Sequence, residues 1–344
     1  MKAIVIHAAK DLRIEERDTG APGSGQVAIR IGAGGICGSD LHYYNHGGFG
    51  TIRVKHPMVL GHEVAGTITA LGAGVADFAV GDRVAVSPSR PCNKCEYCLK
   101  GMQSQCLDMR FYGSAMRDPH VDGAFSQALV ADASQCHKLA DDVSLAEGAL
   151  CEPFAVTLHA VRRADSLLDK RVLITGSGPI GVLCALAARA HGAREIIVVD
   201  VVDAPLAYAL KVGADRVINS AEDPDALKAL AAGKGTMDVL FEASGNGAAL
   251  ASGLAALRPS SVLVQLGLGG EIAFPQNTVV SKEVDIRGSF RFHSEFALAA
   301  DLINHHRVDV RPLISETMPI ENAVAAFELA GDRKRSMKVQ LSFA

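Results

Sequence analysis

Runs of Val, Ile and Leu alternate with segments of helical periodicity from Arg171 to about residue 267. The runs "RVLIT", "EIIVVD", "RVIN", "DVLFEAS" and "SVLVQLG" predict five strands, and "VLCALAARAHG", "APLAYALKVGA" and "GAALASGLAAL" predict helices between them. The strands are almost wholly apolar, as expected when both faces of a sheet are covered. This alternation predicts an α/β fold with a doubly wound parallel sheet.

The first 150 residues have a different pattern, in which short β segments are broken by glycine. Examples are "KAIVI", "GQVAIRI", "GTITALGAG" and "GDRVAVS", and no long amphipathic helix interrupts them. The pattern changes again near Gly288, and a polar tail follows that contains "MKVQLSF" close to its end. We therefore expect a mostly β domain of residues 1–151 that the tail, residues 290–344, returns to complete, with residues 152–289 as the parallel-sheet domain.

Composition narrows the classes of function. The chain has 344 residues and a formal net charge of −4, so it offers no electrostatic reason to bind nucleic acid or an anionic membrane. The apolar start "KAIVI" is too short for a signal peptide, and no uncharged run approaches a membrane span. We expect a cytoplasmic protein, in which thiols stay reduced and a cysteine cluster favours a metal over disulfides.

The turn "GSGPIG" after the first predicted strand has the G-x-G-x-x-G spacing of dinucleotide-binding loops. Its candidate cofactor-binding residues are Gly176, Gly178, Pro179, Ile180 and Gly181. The next strand ends in Asp200, where an acid accepts hydrogen bonds from the adenosine ribose. No Arg or Lys follows Asp200 in "DVVDAPLAY", so NAD is favoured over NADP. The alternative interpretation of the three glycines is a simple strand–helix turn that binds no coenzyme.

Half of the eight cysteines lie in "CNKCEYCLKGMQSQC". Four thiolates can close a tetrahedral shell around zinc and leave no position for a substrate. We interpret the cluster as a structural zinc site that cross-links a loop; an iron–sulfur cluster is the less favoured alternative. Its ligands are Cys92, Cys95, Cys98 and Cys106.

A second set of metal-binding residue types is scattered along the chain. Cys37 lies in "GICGSDLHYY", His62 and Glu63 in "HPMVLGHEVAG", and Glu152 in "LCEPFAV". A catalytic zinc keeps three protein ligands and an exchangeable position, which this set could provide. Taken singly, each residue could instead be an ordinary core residue, and we interpret Cys151 in that way.

In combination these motifs resemble a known family. "GHEVAGTITALGAGVADFAVGDRV", "CGSDLH", the four-cysteine segment, "CEPFAV" and "GSGPIG" follow the order found in zinc-dependent medium-chain dehydrogenases. The resemblance covers essentially the whole chain and is strongest to the polyol branch typified by sorbitol dehydrogenases. The stretches "GSFRFHSEF" and "AGDRKRSMKVQLSF" are similar to L-idonate 5-dehydrogenases, which oxidise a sugar acid.

The resemblance implies a GroES-like catalytic domain, a Rossmann cofactor domain and a homodimer or homotetramer. It implies that Cys37, His62 and Glu152 surround a catalytic zinc, with Glu63 as a direct ligand or an alternate one. Asp40 would orient His62. Ser39 and His42 match the family's proton relay, although Ser39 could be only a turn residue. Our candidates for the substrate wall are Tyr43, Phe111, Phe290 and Arg291, while Arg110 is a further candidate that is more simply a surface arginine.

An open zinc beside NAD predicts oxidation of a secondary hydroxyl to a ketone, with hydride passing to the nicotinamide. The expected substrate is a sugar acid such as L-idonate, or a polyol such as sorbitol or xylitol. L-Threonine and 2,3-butanediol dehydrogenases share nearly all of these motifs and stay open as alternatives. The non-enzymatic alternative is a zinc-containing module that binds nucleic acid. Such a module would have no use for Asp200 or for a zinc site with an open position.

Overall fold

Two sheets organise the chain, one mainly antiparallel and one wholly parallel. The structure is a computed structural model and describes residues 1–343. The strands of that part of the chain are β1 (Lys2–Ala8), β2 (Asp11–Glu16), β3 (Gln26–Gly35), β4 (Gly48–Phe49), β5 (Ile52–Arg53), β6 (Met58–Val59), β7 (Glu63–Leu71), β8 (Arg83–Val86), β9 (Ser89–Arg90), β10 (Arg110–Phe111), β11 (Ala128–Asp132), β12 (Cys136–Lys138), β13 (Arg171–Thr175), β14 (Glu195–Asp200), β15 (Arg216–Asn219), β16 (Met237–Glu242), β17 (Leu257–Gln265), β18 (Asp285–Gly288), β19 (Ile314–Pro319) and β20 (Lys338–Ser342).

The described α-helices are from 4 to 13 residues long. The α-helices are α1 (Gly38–His46), α2 (Glu96–Leu99), α3 (Leu145–Ala149), α4 (Cys151–Arg163), α5 (Pro179–Ala190), α6 (Asp203–Lys211), α7 (Pro224–Ala229), α8 (Gly247–Ala256), α9 (Gln276–Lys282), α10 (Glu295–Asn304) and α11 (Ala323–Gly331). Single 3₁₀ turns occur at Gln103–Gln105, Ala133–Gln135, Arg311–Leu313 and Ile320–Asn322. None of the helices described is long and apolar enough to span a membrane.

The first sheet has the order β12-β8-β7-β3-β20-β19, with β11 also paired to β3. Its pairings are antiparallel except for β19 with β20. A smaller sheet, β2-β1-β6, packs with it around fully buried Ile4, Ile29 and Phe125. Because β20 hydrogen-bonds to β3, residues from the end of the chain lie beside Gly35 and the segment that follows it.

The second sheet is wholly parallel, in the order β15-β14-β13-β16-β17-β18. This is the doubly wound order in which ligands bind at the carboxyl ends of the strands, where the order reverses between β13 and β16. The predicted fold class is confirmed. The prediction of five strands was incomplete, because β18 is a sixth, and α7 and α9 were not predicted either. Three of the four β18 residues are exposed, so this edge strand lacks the apolar run that marks the others.

Helix α4 lies where the two halves meet. It packs against α5 of the cofactor half and α10, and fully buried Phe154 and Leu158 belong to a core that also contains Ala65 and Ala85 of the first sheet. The predicted division at residues 151/152 and 289/290 stays a prediction, since α4 is part of both packing layers. Its first turn carries Glu152 towards the junction between the sheets.

Candidate active site

Cys37, His62 and Glu63 come together at the ends of two paired strands. Cys37 follows β3 and is the N-cap residue of α1, while Glu63 begins β7 and is paired with Gly35 of β3. One potential ligand atom from each of the three residues lies within 4.8 Å of the other two. His62 and Glu63 are buried, and Cys37 is partly exposed. The antiparallel pairing of β3 with β7 therefore builds this cluster from residues 25 positions apart.

Asp40 ties the two ligand-bearing segments together. Its carboxylate accepts a hydrogen bond from the Cys37 N–H at 3.0 Å and another from the Gly61 N–H at 3.2 Å. Its Oδ1 is 3.8 Å from His62 Nδ1, which is too long for a hydrogen bond. His62 Nδ1 is buried and has no hydrogen-bond partner among the described residues. A thiol, an imidazole with an unsatisfied buried nitrogen and a carboxylate form a donor set that fits zinc.

Glu63 has a buried partner that sequence reasoning did not find. Lys338 Nζ, from β20, lies 2.8 Å from both Glu63 carboxylate oxygens and 3.1 Å from the Ile36 carbonyl. The side chains of Lys338 and Glu63 are 2% and 1% exposed, so neither charge can be solvated by water. Burial acts to lower the pKa of Lys338, but the charges of Glu63 and Cys37 raise it above its usual value. The pair therefore places a buried cation against both carboxylate oxygens of Glu63 beside the cluster.

Glu152 lies close by but outside the 4.8 Å cluster. Burial raises the pKa of its carboxyl to about 8, with His62 opposing that shift and Glu63 and Cys37 adding to it. Burial likewise raises the pKa of Cys37 to about 12, helped by the charge of Glu63. The Cys37 thiol would therefore have to lose its proton before it could hold a zinc ion. The structure groups Glu63, rather than Glu152, with Cys37 and His62; which glutamate is a direct ligand stays a prediction.

Ser39 and His42 lie on α1, one turn apart, beyond the cluster. Ser39 is half-buried and His42 is exposed, with its ring 5.8 Å from that of Phe49. Burial, with a smaller contribution from His46, lowers the pKa of His42. Among residues 1–343 no hydrogen bond joins Ser39 to His42, so the proton relay stays a prediction.

The four-cysteine segment forms a separate lobe at β9, α2 and β10. The sulfur atoms of Cys92, Cys95, Cys98 and Cys106 all lie within 4.8 Å of one another. Cys106 Sγ accepts hydrogen bonds from the Cys92 N–H at 3.2 Å and the Asp108 N–H at 3.3 Å. Backbone N–H groups of Cys98 and Leu107 lower the pKa of Cys95 to about 6. Four sulfurs converging among N–H donors form a closed site, which fits a structural zinc and leaves no open position.

The glycine-rich turn joins β13 to α5. Gly176 has φ +90°, and a Cβ there would lie 2.8 Å from Ser244 N; a Cβ on Gly181 would lie 1.8 Å from Gly176 O. A Cβ on Gly178 would meet nothing within 4 Å, so this N-cap position faces open space. Pro179 is the first residue of α5, and half-buried Ile180 follows it. This backbone leaves the N–H groups at the start of α5 accessible to a phosphate, so the turn fits a dinucleotide.

Asp200 ends β14 beside that turn. Its Oδ2 accepts a hydrogen bond from Ser177 N–H at 2.7 Å, and its Oδ1 accepts one from Val201 N–H at 2.7 Å. Burial acts to raise its pKa, but the Ser177 N–H and the charge of Arg333 lower the pKa below its usual value. Asp200 therefore stays ionised at the carboxyl edge of the sheet, where the sequence motif predicts the adenosine ribose.

Comparison with known proteins decides the family. Residues 23–141 match the alcohol dehydrogenase GroES-like domain, and residues 179–305 match the zinc-binding dehydrogenase family. The chain belongs to the zinc-binding dehydrogenases. The resemblance seen in the sequence is confirmed, and so are zinc and a nicotinamide dinucleotide as the cofactors of this dehydrogenase.

Individual relatives share nearly the full length of the dehydrogenase. L-idonate 5-dehydrogenase (NAD(P)(+)) of Escherichia coli (strain K12) is 40% identical over 99% of this chain and 98% of that protein. Sorbitol dehydrogenase of Gallus gallus is 38% identical over 98% of this chain and 95% of that protein. The crystal structure of L-idonate 5-dehydrogenase from Escherichia coli K-12 superposes with a TM-score of 0.94 at 39% identity, covering 99% of this chain and 97% of that one.

The candidates for the substrate wall of the dehydrogenase surround an arginine. Arg291 places its Cζ 4.2 Å from the ring centre of buried Phe111 and 5.0 Å from that of Phe290, which is 42% exposed. Phe111 in turn lies 5.5 Å from the His62 ring. Buried Tyr43 accepts a hydrogen bond from Ala115 N–H at 3.1 Å through its hydroxyl oxygen. The structure thus brings Phe111, Phe290 and Arg291 together next to the cluster.

Arg110 is not part of this substrate wall. It is exposed and sits in the short β9–β10 pairing opposite Arg90. The structure therefore favours the reading of Arg110 as a surface arginine. Cys151 is fully buried in the α4 core, and burial raises its pKa to about 12, as expected of an apolar packing residue.

Three charged residues of the site were not predicted: Lys338, Glu242 and Arg333. Glu242 ends β16, is fully buried and accepts hydrogen bonds from Ser244 N–H at 2.9 Å and Gln265 Nε2 at 2.6 Å, which fixes the loops beside the coenzyme turn. The sequence contains a signal for two of them, namely a charged residue in an otherwise apolar strand. Lys338 interrupts the run "MKVQL", and Glu242 ends the run "DVLFE". Arg333 lies in an ordinary charged stretch, "GDRKR", and offers no such signal.

Proposed function

We propose that this dehydrogenase oxidises a secondary hydroxyl of a sugar acid of the L-idonate class to a ketone, with NAD as the hydride acceptor. The observation that carries the choice of substrate is Arg291. It is a half-buried cation next to the metal cluster, and among residues 1–343 no carboxylate lies within 4 Å of its guanidinium nitrogens. A neutral polyol would have no use for that charge, whereas the carboxylate of an aldonate would pair with it.

The surroundings of Arg291 hold it in place. Its Nη2 lies 3.2 Å from Met116 Sδ, and the guanidinium covers the face of Phe111. Burial lowers its pKa, which the charges of Glu152 and Tyr43 oppose. Its backbone has φ +56°, a conformation that costs a non-glycine residue about 1–3 kcal/mol. A cavity of about 200 Å³ opens beside it, lined by Arg291, Phe111 and Ser114 and, on the side of the four-cysteine lobe, by Cys106 and Met109.

The residues of the cluster divide the remaining tasks. Cys37, His62 and one of the two glutamates, Glu63 or Glu152, would hold the zinc, while Asp40 keeps the backbone segments of Cys37 and His62 in register. When bound, zinc lowers the pKa of the substrate hydroxyl and NAD accepts the hydride. Lys338 offsets the negative charge of Glu63, so the cluster does not accumulate uncompensated carboxylates before the metal binds.

Ser39 and His42 would take the hydroxyl proton towards solvent. His42 is exposed and its lowered pKa makes it neutral at pH 7, so it can accept a proton and release it to water. Ser39 lies between His42 and the partly exposed Cys37 along α1. This order matches a path from the metal cluster to the surface.

NADH production from the zinc-loaded enzyme tests the proposal, with L-idonate compared with sorbitol, xylitol, L-threonine and 2,3-butanediol. We expect the highest kcat/KM for L-idonate. Arg291→Gln should lower that value about 10–100-fold, the cost of losing a charged hydrogen bond, and should change kcat/KM for sorbitol less than about threefold. Arg291→Lys should restore part of the loss.

Arg110→Gln is the matched control, because it removes the same charge one residue from Phe111 but on the surface. It should leave both substrates unaffected. A preference of the wild type for sorbitol, or an equal loss on both substrates in Arg291→Gln, would rule out the carboxylate pocket and favour a neutral polyol. Turnover of L-threonine or 2,3-butanediol alone would place the enzyme in those branches.

We also propose that the dehydrogenase assembles as a homodimer or homotetramer through its cofactor half. Strand β18 ends the parallel sheet as an edge, and its Ile286 is 42% exposed. An exposed edge strand offers unpaired backbone groups to a second copy. Light scattering coupled to size-exclusion chromatography would show a mass of a single chain if this is wrong.

A further inference from the structure

The carboxylate of Asp200 has no acceptor position left for a ribose hydroxyl. Its Oδ1 accepts hydrogen bonds from the N–H groups of Val201 and Val202, at 2.7 and 3.2 Å. Its Oδ2 accepts one from Ser177 N–H at 2.7 Å and one from Arg333 Nη2 at 2.6 Å. A carboxylate offers about four lone-pair positions, so all of them are used. A coenzyme ribose must displace one of these donors, and Arg333 is the only one that is a side chain.

Arg333 reaches Asp200 from the other half of the molecule. It lies in the loop between α11 and β20, which belongs to the first sheet, whereas Asp200 ends a strand of the second. The Arg333 side chain is 51% exposed, against 4% for Asp200. Only one of its N–H groups is engaged within residues 1–343, so the guanidinium can turn towards a ligand at little cost.

Asp200 alone would disfavour a 2′-phosphate on the adenosine ribose, because the two negative charges repel each other. The residues that follow it, Val201 and Val202, supply no cation, which is the reason that the sequence favours NAD. Arg333 changes that balance from 133 positions away, since its charge already neutralises Asp200 at the point where the ribose binds. A guanidinium also matches the oxygens of a phosphate in a bidentate manner.

We propose that Arg333 is the residue that lets this coenzyme site accept NADP as well as NAD. With NAD, the ribose hydroxyl takes the place that Arg333 leaves on Asp200 Oδ2. With NADP, the guanidinium turns to the 2′-phosphate while its charge still screens Asp200. The inference rests on the proposed function only in requiring that the cleft binds a nicotinamide dinucleotide.

Binding of two fragments, 5′-AMP and 2′,5′-ADP, isolates the effect, because they differ only in the 2′-phosphate. Calorimetric titration of the zinc-loaded protein needs neither hydride transfer nor a substrate. In the wild type we expect the two dissociation constants to lie within about tenfold of each other. Arg333→Ala should weaken 2′,5′-ADP at least about tenfold and leave 5′-AMP equal or tighter, and Arg333→Lys should keep most of the 2′,5′-ADP affinity. NADP⁺ and NAD⁺ should follow the same pattern.

Lys334→Ala and Arg335→Ala are the matched controls, because they remove the same charge from exposed positions of the same loop. Both should change either fragment less than about threefold. An unchanged ratio in Arg333→Ala, or an equal loss of both fragments, would overturn the inference, the latter because Arg333 would then be only a structural bridge. If Arg333→Ala leaves the fragment ratio unchanged but the wild type oxidises L-idonate with NAD, the inference on Arg333 fails and the proposed function stands. If the fragment ratios are as expected but L-idonate is not oxidised, the proposed function fails and the inference on Arg333 stands.

Discussion

The four-cysteine lobe and the open cluster each bring metal-binding side chains within 4.8 Å of one another, but they are built differently. The lobe takes all its ligands from residues 92–106, and the backbone N–H groups of Cys92 and Asp108 donate to the sulfur of Cys106. The cluster takes Cys37, His62 and Glu63 from two paired strands and adds Lys338 from the end of the chain. The lobe is therefore a local structure, whereas the cluster exists only when the first sheet has folded.

The four-cysteine lobe and the open cluster also differ in their electrostatics. The lobe consists of four identical ligands, of which Cys98 and Cys106 are buried; backbone N–H groups lower the pKa of Cys95 to about 6, whereas burial raises that of Cys98 to about 12. The cluster is buried, and burial acts against ionisation of Cys37 and Glu152. The lobe thus offers four like ligands and no open position, while the cluster combines a thiol, an imidazole and a carboxylate beside the protonatable Glu152. The difference between a structural and a catalytic site is visible before any metal is considered.

Cys37→Ala should produce the largest effect on activity. Removing this ligand should lower kcat/KM at least about 1,000-fold and reduce the zinc content from about two to about one per chain, since three ligands are the minimum for a catalytic zinc. The lobe should be untouched, so the melting temperature should change little. Metal analysis of the purified variant, with initial rates, measures both.

Cys151→Ala is the control for that variant. Cys151 is the residue before Glu152, and it is fully buried in the apolar core of α4. It should keep both zinc ions and near wild-type kcat/KM. Loss of a zinc from Cys151→Ala would instead make Cys151 a ligand and displace Glu152 from that role.

Cys98→Ala should affect the other site. We expect it to lose the zinc of the lobe, because removing one of four ligands forfeits much of a binding free energy that reaches about 10–16 kcal/mol in zinc-finger peptides. Trypsin should then cut after Lys94 and Lys100, while the parallel sheet, residues 171–288, stays protected and still binds NAD. Mass spectrometry of the fragments identifies the cleavage sites. Unfolding of the whole chain would show that the lobe is not local.

The local and tertiary origins of the two sites explain how much the sequence revealed. Short sequence motifs identify the four cysteines, the turn at Gly176 and Asp200, because the geometry of each depends on a few consecutive residues. Lys338 and Arg333 act on Glu63 and Asp200 across 275 and 133 positions, and no local pattern encodes those pairings. The sixth strand, β18, was missed for a related reason, since an exposed edge needs no apolar run.

The fold class was predictable because strand and helix periodicities are also local. The return of β20 to β3 brings Lys338 to the cluster, and it depends on the whole first sheet. The substrate wall is intermediate. Phe290 and Arg291 were chosen by resemblance, and the stacking of Arg291 on Phe111 could be known only from the structure.

Lys338→Met gives the smallest effect of the three and tests whether the cluster depends on its tertiary partner. Removing the cation leaves Glu63 buried without a counter-charge, which costs about 3–5 kcal/mol in comparable buried pairs. That cost should be measured in full only in chelator-treated protein, because bound zinc supplies positive charge next to Glu63. Urea unfolding of wild type and variant, with and without zinc, gives the two differences.

Gln340→Met is the matched control, since Gln340 is a fully buried polar residue two positions along β20 whose Nε2 donates to Ala146 O at 2.8 Å. It should cost about 1 kcal/mol, equally with and without zinc. If Lys338→Met were equally destabilising in both states, Lys338 would serve folding alone. A zinc-dependent difference shows instead that Lys338 and the metal both compensate the negative charge of Glu63. The four-cysteine lobe has no equivalent coupling.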